Sequence, residues 1–292
     1  MSTLCASAAR ERADPLGATA ATARSWLLIE HPGPWTPDAL AGSGIAGPVR
    51  KALADAADSA GARLLLVRRP GRPVATAARM WAVVRHEPAT VVRGRWTQDS
   101  DLLDAVAELA GDPPQQAEPS PLLLVCTHGR HDTCCALRGR PVAAALAQRW
   151  PDATWECSHV GGDRFAPNLL VVPDGAVYGN LATFDAADVV EAHLGGALRV
   201  DKLRGLSAFP PVVQAALIGA HERHGPAGAR DAVPLLVERD DEHTWRVSLR
   251  GSGALPEAMT MRVTRTRREP HLLTCRAVAP SPAWTYAALP GD

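Results

Sequence analysis

The chain has 292 residues, 46% hydrophobic and 21% charged, with 31 basic and 31 acidic residues. That is the composition of a globular protein long enough for two or three domains. A formal net charge of zero gives no electrostatic basis for a nucleic-acid or anionic-membrane partner, and no apolar run reaches the roughly 18–20 residues needed to span a bilayer.

Arg10 and Arg12 are not followed by a continuous apolar stretch, so Met1–Ala23 does not read as a secretory leader. The expected location is cytoplasmic. In that compartment clustered cysteines serve more often as metal ligands or redox groups than as structural disulfides.

The first half gives a clear series of elements. Ser25–Glu30 reads as a buried strand, Pro48–Ala60 as an amphipathic helix and Ala62–Arg68 as a second strand. Met80–Arg85 and Thr90–Trp96 read as two further strands. A helix follows at Ser100–Ala110, capped by Ser100 or Asp101, and the proline-rich Gly111–Pro121 reads as a linker.

The second half repeats the order roughly ninety residues later. Leu122–Val125 is a strand, Pro141–Trp150 a helix and Thr154–Cys157 a strand. Leu169–Val172 and Ala176–Tyr178 are strands joined by a turn at Pro173–Gly175, and Asp185–Leu194 is a helix. Each half is β-α-β-β-β-α, the core order of a thioredoxin-like fold. The expected class is therefore α/β (α+β), with two tandem thioredoxin-like lobes over 1–115 and 116–208. Residues 209–292 would add a helix at Val212–His224 and a small β subdomain with strands at Trp245–Leu249, Met259–Thr264 and Leu272–Ala277. The alternating arginines from Arg262 to Arg268 suit the solvated face of such a sheet.

Chemistry concentrates between Cys126 and Asn168, which hold four of the six cysteines and three of the ten histidines. In a thioredoxin-like lobe the loop after the first strand and the loop before the third converge at one end of the sheet. Cys126 closes the first strand, with Cys135 nine residues on and placed before the helix. His159 and Asp163 sit four apart in the second loop, and Gly161 and Gly162 between them let the backbone pass close to a bound group. His128 and His131 fit equally well as ligands or as ordinary solvated loop histidines. Cys5, near the N-terminus, and Cys275, on an expected strand, read as small packed side chains.

Cys126-x8-Cys135, with Arg130 and Asp132 between them, and the block from His159 through Gly161, Gly162, Arg164 and Phe165 to Asn168 resemble the sucrase/ferredoxin-like family, of the thioredoxin-like ferredoxin type. Arg138–Pro141 and Tyr178-Gly179 extend the resemblance. It implies a [2Fe-2S] cluster held by two cysteines and two histidines. Cys126, Cys135 and His159 match three of those positions, and Asp163 stands where the second histidine belongs. The fourth ligand is then Asp163 itself or a substitute, Cys157, Cys134 or His128, or else the site is incomplete and the cluster labile or absent. Gly161, Gly162, Asp132, Arg164 and Asn168 would surround the ligands, with Arg164 either paired to Asp132 or serving as a cation that stabilises a reduced, negative cluster.

Three functions compete. An electron carrier served by a redox partner such as a reductase follows most directly, with no substrate converted. A zinc site, structural or hydrolytic, suits two cysteines, a histidine and a carboxylate. A thiol oxidoreductase would use Cys134 or Cys135, although the chain has no Cys-x-x-Cys. No pair of carboxylates marks a sugar-cleaving site.

Overall fold

The computed structural model describes residues 4–71, 78–114 and 120–291. Two compact units emerge. One, the lobed unit, comprises Ala23–Val160 with Leu169–Gly175; the other, the tail unit, comprises Met1–Thr22, Gly161–Asn168 and Ala176–Asp292. Residues 115–119 of the expected linker lie outside the described residues. No helix among those described is long and apolar enough to cross a membrane.

A short helix, α1 (Cys5–Glu11), lies within the tail unit, and Cys5 is buried in it. The lobed unit begins with β1 (Ser25–Glu30), α2 (Gly47–Ser59) and β2 (Ala62–Arg68), a strand–helix–strand crossover whose two strands pair in parallel. β3 (Arg79–Arg85) pairs antiparallel to β1, and β4 (Thr90–Trp96) antiparallel to β3. A 3-10 turn at Asp99–Asp101 then leads into α3 (Leu102–Ala110).

Alternation along these strands decides which side chains meet the helices. Leu27 and Ile29, Leu66, and Trp81 and Val83 form one core with Leu53 of α2 and Leu102 and Leu109 of α3. Each leucine or isoleucine fully buried this way contributes about 1.5–3 kcal/mol relative to exposure.

The second lobe repeats the device with β5 (Leu122–Cys126), α4 (Thr133–Arg149) and β6 (Thr154–Cys157). β5 and β6 are parallel, and β7 (Leu169–Val172) is antiparallel to β5. Within this unit the strand order is β4-β3-β1-β2-β6-β5-β7. The lobes therefore join edge to edge through β2 and β6, whose ladder is antiparallel and pairs Val67 with Cys157 and Arg68 with Glu156.

One helix differs from expectation in a way that matters for chemistry. α4 starts at Thr133, eight residues before the expected Pro141. Asp132 takes the N-cap, its Oδ1 accepting the Cys134 N–H at 2.8 Å. Pro141 lies inside the helix, where a proline is a costly choice. Cys134 and Cys135 thus occupy the first helical turn, not a loop ahead of it.

The tail unit holds β8 (Ala176–Tyr178), α5 (Ala186–Leu194) and β9 (Leu203–Leu206), with β8 and β9 antiparallel. α6 (Pro211–His224) follows and packs against a four-stranded antiparallel sheet. That sheet runs β10 (Ala232–Arg239), β11 (Thr244–Gly251), β12 (Ala258–Arg267) and β13 (Trp284–Pro290). Alternation on β12 buries Met259, Met261 and Val263 and exposes Arg262, as the arginine spacing predicts. The expected strand at Leu272–Ala277 does not form; those residues make turns, and β13 takes the place beside β12. Cys275 is therefore in a turn segment, its Sγ 3.4 Å from that of Cys5. β10 was hidden in the sequence by Pro234, which an edge strand tolerates at the bulge found there.

Candidate metal centre

The site is assembled at the carboxyl ends of two parallel strands. Cys126 is the last residue of β5 and Cys157 the last of β6, and the two are in register. Beyond them the chain makes two loops, 127–132 leading into α4 and 158–168 leading toward β7. The Sγ atoms of Cys126 and Cys135 and one ring nitrogen of His159 lie within 4.8 Å of one another. Three of the four ligands read from sequence are thus brought together in one unit. Both thiols are buried, while His159 is part-exposed.

Gly139 explains why Cys135 can come so close. A Cβ at that helix position would stand 2.1 Å from the Cys126 carbonyl oxygen. A glycine in a helix interior costs about 0.5–1 kcal/mol relative to alanine, so its presence here reflects the contact it permits. α4 lies directly against the end of β5 and delivers Cys135 to Cys126.

Electrostatics favour a thiolate at the centre. The Cys135 thiol, hydrogen-bonded to Cys126, pulls the Cys126 thiol well below its ordinary pKa. Burial opposes this, and the His159 ring and the backbone at His128 reinforce it. Cys157 behaves in the opposite way: burial pushes its thiol well above the ordinary value, with Cys126 and Glu156 adding to the rise. Arg63 of β2 lies near both sulfurs and hydrogen-bonds to the Val160 carbonyl at 3.2 Å. The start of α4 places the positive end of a helix dipole beside Cys135.

The first lobe buttresses these loops. Arg68 forms an ion pair with Glu156 at 2.7 Å, and Glu156 also accepts the Thr127 hydroxyl at 2.9 Å. The Arg68 guanidinium lies 4.2 Å above the Trp35 ring. His128 bonds through Nε2 to the Thr36 carbonyl at 2.7 Å, while its buried Nδ1 has no hydrogen-bond partner among the described residues.

Cys134, Cys157 and His128 lie outside the three-ligand group. Asp163 opens a 3-10 turn, Asp163–Phe165, and belongs to the tail unit. Arg164 pairs with Asp14, at 3.6 Å, and stacks on Phe165; Asp132, the partner expected for it, caps α4. Gly161 and Gly162 both have positive φ, at 92° and 75°. A Cβ at Gly162 would strike the Arg204 guanidinium at 2.2 Å. The fully buried Arg204 donates to the Gly161 carbonyl and to Asn168 Oδ1, at 2.8 and 2.9 Å, while Asn168 donates to the Gly162 carbonyl at 3.0 Å. The glycine pair and Asn168 thus form the cradle of an arginine that lies about forty residues beyond the motif, too far along the chain for local spacing to find.

His131 is one of the two loop histidines that the sequence left undecided. Its ring stacks on that of His159, with centroids 3.8 Å apart and planes at 21°, and it is 5.5 Å from His128. These three histidines share the wall of a ≈ 370 Å³ cavity with Leu64 and Leu66.

The donor set suits a soft or borderline metal: two buried thiols, one disposed to ionise, and an imidazole at contact range. No curated protein sequence matches the chain. Among solved structures, a cysteine-to-serine variant of the thioredoxin-like [2Fe-2S] ferredoxin from Aquifex aeolicus is 23% identical with a TM-score of 0.25, over 29% of this chain and 97% of that one. Another structure of a thioredoxin-like [2Fe-2S] ferredoxin from the same organism gives 23% and 0.25, over 28% and 88%. The sucrase/ferredoxin-like family matches across residues 16–205, from before β1 to within β9, and the chain belongs to that family.

Proposed function

We propose that the chain is an electron carrier that holds a [2Fe-2S] cluster through Cys126, Cys135 and His159. The observation that carries this reading is the convergence of those three ligand atoms within 4.8 Å at the carboxyl end of β5. When bound, the cluster supplies a one-electron redox couple whose potential rises as imidazole replaces thiolate. The protein's own groups hold and tune it. Cys126 is disposed to bind as thiolate, the first turn of α4 favours negative charge, and Arg63 places a cation nearby. For the fourth ligand, Cys157 lies in register with Cys126, His131 stacks on His159, and Asp163 occupies the family's histidine position. A cytoplasmic carrier of this kind would serve a redox partner such as a reductase.

Purification without oxygen, with iron, zinc and acid-labile sulfide measured beside the visible spectrum, tests the reading. About two irons and two sulfides per chain are expected. Cys157→Ser, His131→Ala and Asp163→His would then identify the fourth ligand, because its loss changes the charge-transfer bands and its conversion to histidine shifts them toward mixed ligation. Zinc without sulfide would overturn it in favour of a zinc protein, a reading that the S2N set also supports. A colourless, metal-free protein that reduces peroxide would point instead to thiol chemistry at Cys134 or Cys135.

A further inference from the structure

A second pocket, of ≈ 460 Å³, lies on the first-lobe strands where they meet the start of β6, and is walled by Arg69, Arg79, Arg93 and Arg95 together with Asp152 and Trp155. Its place in the fold corresponds to that of the metal centre. Glu30, on its wall, is the last residue of β1, as Cys126 is of β5; Arg69 follows β2, as Ser158 and His159 follow β6. Ligands of open α/β sheets gather beyond the carboxyl ends of parallel strands. The first lobe has the same opening, with arginines where the second has thiols and imidazoles.

Arg93 and Arg95 carry few contacts of their own, while Arg79 also stacks on Trp96 at 4.8 Å. Arg93 and Arg95 are two apart on β4 and so share a sheet face. Among the described residues none of the four forms an ion pair. Arg93 gives one contact to the Ser120 carbonyl at 3.3 Å. Arg69 stacks on Trp155 at 3.7 Å and donates from Nη1 to the carbonyls of Pro151, Asp152 and Thr154. Only two carboxylates line the pocket, Glu30 and Asp152, and one Glu30 oxygen already accepts the Met80 N–H at 2.7 Å. Four guanidinium groups against two carboxylates leave a surplus of two positive charges. The Trp155 indole N–H is buried and has no hydrogen-bond partner among the described residues, which adds an unused donor on the same wall.

We propose that this pocket binds a small phosphate-bearing anion, a phosphate monoester or diphosphate. A dianion matches the surplus charge, and forked guanidinium donors match phosphate oxygens in pairs. The volume falls within the range of small-molecule sites and exceeds what one orthophosphate fills.

Titration calorimetry of the full chain with inorganic pyrophosphate, at fixed ionic strength, tests this. One-to-one binding is expected, weakened at least tenfold in the Arg93→Gln/Arg95→Gln double variant and also weakened in Arg95→Gln alone. Metal content and melting temperature should match the parent chain. Quenching of tryptophan fluorescence on binding, lost in Trp155→Phe, would place the anion on that wall. Sedimentation with phosphatidic-acid vesicles distinguishes a lipid phosphate, displaced by pyrophosphate, from a soluble ester, which leaves the vesicles unbound. Equal affinity in the parent and a folded double variant, or heats that sodium chloride reproduces, would overturn the proposal.

Discussion

The two lobes of the sheet share a strand plan and differ in what they place at its working end. β2-β1-β3 and β6-β5-β7 have the same order and the same parallel and antiparallel senses. In the second lobe the strand ends carry Cys126, Cys157 and, just beyond, His159. In the first they carry Glu30, Arg68 and Arg69. The two lobes thus share a plan and differ in the side chains at its strand ends: thiols and an imidazole in one, a carboxylate and arginines in the other.

The largest effect should come from the ligands. Cys126→Ser and Cys135→Ser are each expected to abolish cluster incorporation, read as loss of visible absorbance and of iron, while the circular dichroism of the fold persists. Retention of full iron in either variant would remove that residue from the centre.

Gly139→Ala should come next. Its Cβ meets the Cys126 carbonyl at 2.1 Å, so α4 must move away from β5. Overpacking of this kind costs roughly 1–3 kcal/mol. Reduced stability in denaturant should be accompanied by lower iron occupancy, because the same movement withdraws Cys135. An alanine variant with normal occupancy would show that the close approach is not needed for the site.

Arg63→Gln addresses the contribution of the first lobe to the second. Arg63 lies near both Cys126 and Cys157, and its positive charge favours the more negative, reduced state. Its loss should lower the reduction potential by tens of millivolts, on the order expected from one unit charge across a partly screened gap. An unchanged potential would confine Arg63 to holding the Val160 carbonyl.

The smallest effect belongs to Asp101, at the start of α3. The N–H groups of Thr97 and Gln98 hold its carboxyl down to about 2. A depressed pKa stabilises the folded state above the ordinary carboxylate range, and that contribution fades as pH falls toward about 2. Asp101→Asn should lower the melting temperature slightly at pH 7, and the gap should close in strong acid. A gap that persisted there would mean the loss came from geometry and not from charge.

Much of the lobe plan was legible because β1, β2, β5 and β7 are buried apolar runs that close at charged, thiol or turn residues. Cys126 and Cys135 stood out through their neighbours. The start of α4 was not legible, because Gly139 and Pro141 read as helix breakers until the contact with Cys126 explains the first. Arg204 and the stacking of His131 on His159 depend on contacts between residues distant in sequence, which local pattern cannot carry. The strand at Leu272–Ala277 failed because an apolar run becomes a strand only if an edge is open to it, and Trp284–Pro290 took that edge.

The seam between β2 and β6 bears on how the chain can be cut. Each strand would be the bare margin of its own lobe if the other were removed, with unpaired N–H and C=O groups facing water. At the seam each one covers the other, and the Arg68–Glu156 ion pair lies across it. A fragment carrying only the second lobe keeps Cys126, Cys135 and His159 but exposes β6 as an adhesive margin. Trimming the chain to the half that carries Cys126 and Cys135 is therefore expected to promote self-association through that strand, read as a raised mass in sedimentation.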